Sequence, residues 1–250
     1  MDKVYRLNLS GVHNNRGRSA LIRALHLREN PYISRMNNSP TLDSATEPTP
    51  PNSVLMVPIR SLGENHRDRI AVHLKALDAN DRYYRFGYAA SDSQIDAYVS
   101  ALNFARDEIF GIYNRHLRLI AMAHLAFART PAGVPVVEFG VSVLAKARGR
   151  QYGARLFERA VMHARNEGVQ VMYVHVLSEN TAMLKIARHC GAVFVRDGAE
   201  SEAHLKLTPA TLNTHLTEMV EEHMAQANYL IKRHAKHWRD AVDDLQSPWI

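Results

Sequence analysis

The sequence lacks the features that mark secreted and membrane proteins. Cys190 is its single cysteine, so an internal disulfide framework is excluded and a reducing compartment is favoured. No stretch reaches the roughly 18 to 20 consecutive apolar residues that span a bilayer. The first residues also have no apolar core of signal-peptide length. We therefore expect a cytoplasmic protein with no membrane-spanning segment.

The positive charge is also not arranged as in most nucleic-acid-binding proteins. The formal net charge is +6, but the excess is spread along the chain and becomes dense only between Lys146 and Arg159. A nucleic-acid footprint is usually a larger basic face with interleaved aromatic residues. The local cluster instead favours a small anionic ligand, and we do not expect nucleic acid or a membrane as a partner.

The composition divides the chain into three regions. Residues 1–52 form an N-terminal extension with one short helical pattern and a linker rich in proline, serine and threonine. Residues 53–207 have the patterning of a folded domain. It begins with an apolar run at 54–59 that predicts a strand. A helical segment with a cap at Asp78 follows, and then a helix that starts at Ser91 or Ser93. Three strands separated by hairpin turns come next, and the domain ends in a helix, a strand, a second helix and two strands.

Residues 208–250 predict a long amphipathic helix. Apolar residues recur there at intervals of three and four, and Pro209 fits the first turn. They are Val220, Met224, Ala227, Ile231, Ala235, Trp238 and Val242. This stripe either packs against the domain or pairs with a second subunit to form a homodimer.

The segment "KARGRQYGARLFERA", residues 146–160, predicts an anion-binding turn. It follows an apolar strand and leads into a helix, whose first amides lack intrahelical partners and attract anions. Gly149 and Gly153 would let these amides approach a ligand. Arg148, Arg150 and Arg155 would add charged hydrogen bonds. The segment has neither the Lys-Ser/Thr of a Walker A loop nor three glycines of a dinucleotide fingerprint.

The order of elements around this turn resembles the GNAT acetyltransferase superfamily over about residues 54–207. The resemblance includes Arg148, the pair Gly153-Ala154, the strand-end Asn180 and the segment "CGAVF". The segments "ALDANDRYYRF" and "ENTAMLKIARHCGA" are most similar to the bacterial protein-lysine acetyltransferase branch. The resemblance implies an α+β (mixed α/β) three-layer fold. Its mostly antiparallel central sheet is flanked by helices, and acetyl-CoA lies where the fourth and fifth strands splay apart.

The resemblance also implies a set of acetyl-CoA contacts. Three backbone positions would pair with the pantetheine arm, six amides would hold the pyrophosphate, and Asn180 would contact the CoA arm. The pairing positions are Val141, Ser142 and Val143, and the amides are those of Gly149, Arg150, Gln151, Tyr152, Gly153 and Ala154. The chain departs from the family at Gln151, where glycine is usual. It departs again at Ala187, where a tyrosine that acts as the acid is frequent.

Amine acetylation requires a proton acceptor, because an alkyl amine with a pKa near 10.4 is protonated at neutral pH. In related enzymes a glutamate often occupies the position of Glu138, and another often occupies that of His175. Glu138 is either the base or a structural carboxylate at the sheet end. His175, as an imidazole, is either the base or a histidine hydrogen-bonded within its strand.

Together these features predict an acetyl-CoA-dependent N-acetyltransferase that acts on a protein lysine or a small amine by direct transfer. The alternative is a catalytically weak acyl-CoA-binding regulatory module, suggested by the two departures. Tyr83, Tyr84 and Phe86 either line the acceptor pocket or pack in the core. His234 and His237 lie one helical turn apart, but no third ligand accompanies them, so we expect no metal site.

Overall fold

The computed structural model describes residues 57–197 and 200–246, so the N-terminal extension of residues 1–52 lies outside the described residues. It contains a seven-stranded sheet and six α-helices. The strands are β1 Arg60–Ser61, β2 Glu108–Tyr113, β3 Leu119–Arg129, β4 Pro135–Val143, β5 Val171–Leu177, β6 Val193–Asp197 and β7 Glu200–Lys206. The helices are α1 Arg67–Lys75, α2 Ala79–Phe86, α3 Asp92–Ser100, α4 Tyr152–Asn166, α5 Thr181–His189 and α6 Leu212–Gln246.

The sheet is mixed and mostly antiparallel. Its strand order is β1-β2-β3-β4-β5-β7-β6, and β4 and β5 form the one parallel pair among the described strands. The helix α4 makes the crossover between these two strands, as a parallel connection requires. The α+β architecture expected from the sequence is confirmed.

The predicted first strand is displaced. The apolar run 54–59 was expected to pair, but residues 57–59 form no strand and residues 54–56 lie outside the described part of the chain. Pairing with β2 occurs instead at Arg60 and Ser61, opposite Gly111 and Phe110. Burial of Ile59 in the core, rather than sheet pairing, accounts for its apolar character.

The predicted cap at Asp78 is confirmed, and of the two serines predicted to start the next helix, Ser91 is the cap. The Asp78 carboxylate accepts the amide of Asp81 at the start of α2, at 2.8 Å. Ser91 and Gln94 form a reciprocal capping box at the start of α3. Such caps satisfy amides that the helix itself leaves unpaired, which fixes where each helix begins.

The helices cover both faces of the sheet. Side chains alternate between the two faces along a strand. On one face of β4, the Ser142 hydroxyl contacts His73 of α1. On the opposite face, Phe139 packs edge-on against Phe157 of α4, with ring centroids 5.0 Å apart. Helices α1 to α3 therefore belong to the layer that contains Glu138, Gly140 and Ser142, and α4 belongs to the opposite layer.

The C-terminal helix α6 docks through its polar face, so a packed apolar stripe is the wrong prediction. Val220, Met224 and Ile231 are 56%, 52% and 68% exposed. The face toward the domain instead carries Glu218 and Glu222, which surround the guanidinium of the buried Arg159 on α4. These residues of the predicted stripe therefore face solvent, and the side chains of Trp238 and Val242 lie outside the described residues. No helix within the described residues combines the length and apolarity that a membrane crossing requires.

Candidate active site

A gap opens in the sheet between β4 and β5. The two strands pair over only three positions, ending where Glu138 faces Tyr173. Beyond this point β4 continues to Val143 and β5 to Leu177 without further pairing to each other in the described structure. One backbone edge of β4, from Phe139 to Val143, is therefore open toward β5. The splayed sheet expected from the sequence is confirmed.

The open edge of β4 leads into a turn that ends at the N-terminus of α4. A short 3-10 turn, Ala145–Ala147, is followed by two left-handed positions, Gly149 with φ 75° and Gln151 with φ 60°. The first bond of the helix joins the Arg155 amide to the Gln151 carbonyl at 3.0 Å. The amides before Arg155 are therefore the unpaired first-turn donors that bind anions at helix N-termini.

The two left-handed positions differ in how well their residues suit them. A Cβ at Gly149 would meet no atom within 4 Å, so glycine is needed there for its conformation rather than for space. Gln151 adopts a conformation that costs an L-residue roughly 1–2 kcal/mol. The position where the family usually has glycine is thus one that favours glycine. A Cβ at Gly153 would make only an ordinary contact, 3.5 Å from Ile186 of α5.

The arginines of the turn are not equivalent. Arg148, whose side chain is 50% exposed, forms an ion pair with the largely buried Asp81 of α2. Arg150 is exposed, and Arg155 is half-buried on the first turn of α4. Part of the Arg148 charge is therefore compensated within the protein, whereas Arg150 is presented to solvent beside the open amides.

Ser142 can offer only its backbone to a ligand in the gap. Its hydroxyl is 2.9 Å from Nε2 of His73, and Nδ1 of the same imidazole is 3.1 Å from the Leu119 carbonyl. Nδ1–H therefore donates to Leu119, and the Ser142 hydroxyl donates to Nε2. Burial lowers the pKa of His73 to about 4, so the ring is neutral. The partly buried side chains of Val141 and Val143 pack against the hydrophobic core.

Asn180 and Ala187 have structural surroundings. Oδ1 of Asn180 caps α5 by accepting the Met183 amide at 3.1 Å. Only the Nδ2 amide is then suited to donate to a ligand. Ala187 is fully buried on α5, so this position presents no proton donor to the gap.

Glu138 and His175 lie on the same face of the sheet, on opposite sides of the gap. Glu138 is half-buried at the last paired position of β4. His175 is two residues beyond Tyr173 on β5, and its Nε2 is buried without a hydrogen-bond partner among the described residues. On β7, Glu202 lies opposite His175, and its carboxylate is 2.9 Å from Nε2 of His204. The reading of His175 as a histidine hydrogen-bonded through Nε2 is therefore not supported.

The structure brings a polar chain to this face that the sequence analysis missed. Arg85 of α2 donates to the Tyr98 hydroxyl at 2.7 Å, and this hydroxyl is 2.7 Å from Nδ1 of His124 on β3. His124 Nε2 lies 3.4 Å from the Asp107 carboxylate. These four residues are far apart in the sequence, and no spacing within it indicates that they meet.

The other sequence-based candidates have separate positions. Phe86 is buried in the core beside Tyr98, whereas Tyr83 is 39% exposed and Tyr84 is half-buried. His234 is exposed on α6, and the side chain of His237 lies outside the described residues. Within the described chain no three histidine, cysteine or carboxylate side chains are grouped as a metal site.

Comparison with known proteins shows what the domain is similar to. Residues 71–192 match the family model described as "Acetyltransferase (GNAT) family". The fold is similar to the GNAT domain of S. lividans PAT, at 18% identity and a TM-score of 0.51, over 60% of this chain and 89% of that one.

A structure of an Acinetobacter baylyi ADP1 protein described as a putative acetyltransferase has 19% identity and a TM-score of 0.49, over 60% and 92% of the two chains. A search of curated proteins finds no significant match. The family match over residues 71–192 agrees with the seven-stranded splayed sheet and with the turn before α4, so this part of the chain is similar to GNAT acetyltransferase domains.

Proposed function

We propose that this protein transfers the acetyl group of acetyl-CoA directly to a primary amine. The observation that carries the proposal is the open edge of β4, which leads without interruption to the unpaired amides before α4. An extended pantetheine arm can pair with such an edge as a further strand would. A pyrophosphate fits the helix N-terminus because its charge is complementary to the helix dipole and to the free N–H groups.

The proposed contacts follow the expectations from the family. The backbone of Val141, Ser142 and Val143 pairs with the pantetheine amides, and the Nδ2 amide of Asn180 contacts the CoA arm. The turn supplies the pyrophosphate contacts, in which exposed Arg150 adds a charged donor. These turn amides belong to Gly149, Arg150, Gln151, Tyr152, Gly153 and Ala154.

The proposed chemistry needs a base and a donor to the developing oxyanion. Glu138 and His175 lie on the same face of the sheet, on opposite sides of the gap, and either can accept the ammonium proton, directly or through a water. A backbone N–H of the open edge near Val141 can stabilise negative charge on the thioester oxygen. Because Ala187 offers no acid, water or another group protonates the departing thiolate. The acceptor is a small amine or a protein lysine.

Calorimetric titration of acetyl-CoA tests the first half of the proposal. We expect saturable binding to the wild type and weaker binding to Arg150→Ala. Arg115→Ala, which removes an exposed charge from the β2–β3 turn, is the matched control and should bind as the wild type does. Arg148→Ala is less suitable because it also leaves the buried Asp81 without its partner. Absence of acetyl-CoA binding by the wild type would refute the proposal.

Thiol release with a panel of amines tests the second half. Glu138→Gln or His175→Gln should reduce kcat by about 10²- to 10⁴-fold if that residue is the base, with acetyl-CoA affinity retained. Acetyl-CoA binding without transfer to any amine would instead identify an acyl-CoA-binding regulatory module.

A further inference from the structure

The guanidinium of Arg85 lies directly on the backbone of β4. A Cβ built on Gly140 would come within 2.8 Å of Cζ and of Nη1 of Arg85, closer than real Cβ contacts allow. Gly140 is thus the residue that admits a charged group onto the sheet beside the open edge. The position is within the segment proposed to face the thioester.

A chain of hydrogen bonds holds this guanidinium in place. Arg85 Nη2 donates to the Tyr98 oxygen, and the Tyr98 hydroxyl donates to Nδ1 of His124, each at 2.7 Å. Nε2 of His124 faces Asp107, whose carboxylate accepts Arg106 Nε at 2.6 Å. Burial raises the pKa of Tyr98, so the phenol stays protonated and keeps its donor role. Arg85 is therefore preorganised by neutral partners on its buried side.

The charge of Arg85 has no anionic partner in the described residues. No carboxylate there lies within ion-pair distance of the guanidinium, and the buried Nε has no hydrogen-bond partner. Arg82, on the same helix, is by contrast paired with Asp92 at 2.8 Å. A half-buried guanidinium without a counter-ion is costly unless a ligand supplies one.

Arg85 is also at a defined spacing from the proposed base. Glu138 and Gly140 point to the same face of β4 and are two residues, roughly 7 Å, apart along the strand. A short amino acid has its amine and its carboxylate only a few ångströms apart. With a hydrogen bond of about 3 Å at each end, such a molecule spans this distance.

We infer that Arg85 binds a carboxylate of the acceptor, so that the acceptor is an amino acid or another small amine that carries a carboxylate. This inference rests on the proposed acetyl transfer and narrows its substrate class. The acceptor amine faces Glu138, and its carboxylate accepts hydrogen bonds from the Arg85 guanidinium over Gly140. The same positive charge disfavours polyamines and lysine-rich segments, which are cationic.

The test compares the free L-amino acids with the corresponding L-amino acid amides in thiol release from acetyl-CoA. For the preferred side chain we expect kcat/KM to be at least about tenfold higher for the acid, as a charged hydrogen bond provides. In Arg85→Gln this preference should fall to near one, mainly through KM. The acid and the amide differ in the pKa of the amine, but this difference affects the wild type and Arg85→Gln equally. Comparing the acid-to-amide ratio of kcat/KM between the two proteins therefore removes its effect.

Three further proteins make the result specific. Arg85→Lys keeps the charge without the planar fork and should retain part of the preference. Tyr98→Phe removes the hydroxyl that positions Arg85 and should lower the preference less than Arg85→Gln does. Arg115→Gln removes an exposed charge and should leave the ratio unchanged.

The outcomes separate this inference from the proposed function. The inference is overturned if amides, polyamines or lysine peptides are acetylated as fast as the free acids. It is also overturned if Arg85→Gln lowers kcat/KM equally for the acid and the amide. Either result leaves the proposed acetyl transfer intact. If no amine is acetylated, calorimetry with N-acetyl amino acids and their amides decides. Equal affinity of the two for the wild type overturns the inference, and an acid preference lost in Arg85→Gln supports it.

Discussion

Replacing Gly149 by alanine tests the turn before α4 with a change that affects only the backbone. The residue has φ 75°, and an added Cβ meets nothing within 4 Å. Gly133 in the β3–β4 turn is a close match, with φ 81° and equally open surroundings. The two glycines flank opposite ends of β4, a strand of nine residues that is roughly 30 Å long. Gly133→Ala is therefore the control for Gly149→Ala.

Both substitutions should destabilise the fold by similar amounts. An L-residue in the left-handed region costs roughly 1–2 kcal/mol. About 0.5–1 kcal/mol of this free-energy cost is offset, because alanine lowers the conformational entropy of the unfolded chain relative to glycine. The net loss of about 1 kcal/mol corresponds to a Tm lower by roughly 2–4 °C for a domain of this size.

Only Gly149→Ala should weaken acetyl-CoA binding. A methyl group at this turn, or a shift of the turn out of the left-handed region, removes one charge-assisted hydrogen bond to the pyrophosphate. Such a bond contributes about 1.5–3 kcal/mol, so the Kd should rise roughly 10- to 150-fold. Calorimetry of both variants against the wild type, with Tm values alongside, measures this. Equal acetyl-CoA affinity in the two variants would show that the turn does not hold the pyrophosphate.

The docking of α6 leads to three further predictions. Three carboxylates of α6 lie 3.3 to 3.6 Å from the Arg159 guanidinium, and Arg159→Met leaves them without their cation. We expect the free energy of unfolding in a denaturant titration to fall by roughly 3–5 kcal/mol. A loss below about 1 kcal/mol would contradict this role of Arg159. Burial lowers the pKa of His163, but the hydrogen bond to Glu218 and the charge of that carboxylate outweigh burial and raise this pKa. The stability that the His163–Glu218 pair contributes is complete below pH 6.5 and is lost as the pH rises through the folded-state pKa of His163. His163→Asn should flatten that part of the stability–pH curve, and an unchanged slope would be evidence against the pair. The exposed stripe on α6 should form a homodimer in light scattering, and Val220→Glu with Ile231→Glu should yield a folded monomer, whose Tm no longer rises with protein concentration as that of the dimer does. A monomeric wild type would disprove this.

Much of the fold could be predicted from local sequence patterns. The caps at Asp78 and Ser91 depend on interactions within three residues, so the sequence alone predicts the first and narrows the second to Ser91 or Ser93. The strands around the gap alternate or run apolar as expected for a buried sheet. The turn from residue 145 to Gly153 was found because its glycines and arginines are contiguous, and a helix N-terminus needs no distant partner to attract an anion.

The errors and omissions arose where a pattern has two physical solutions. An apolar run at 54–59 and an apolar stripe on α6 both indicate burial, but neither pattern indicates which surface covers the apolar residues. Ile59 enters the core without pairing, and the stripe on α6 faces outward because Arg159 draws the carboxylate face inward. Periodicity records the side on which residues are apolar, and long-range ion pairs can decide which side docks.

The sequence by itself determined the helices, the cap at Asp78, the order of the strands along the chain and the glycine-containing turn before α4, because each depends on residues that are neighbours in the chain. Only the tertiary structure decided where β4 and β5 separate, and only it brought Arg85, Tyr98, His124 and Asp107 together beside Gly140. These positions span residues 85 to 140, and no local pattern encodes their meeting. A guanidinium resting on a glycine of the open strand results from the packing of α2 and α3 on the sheet, which only the folded chain specifies.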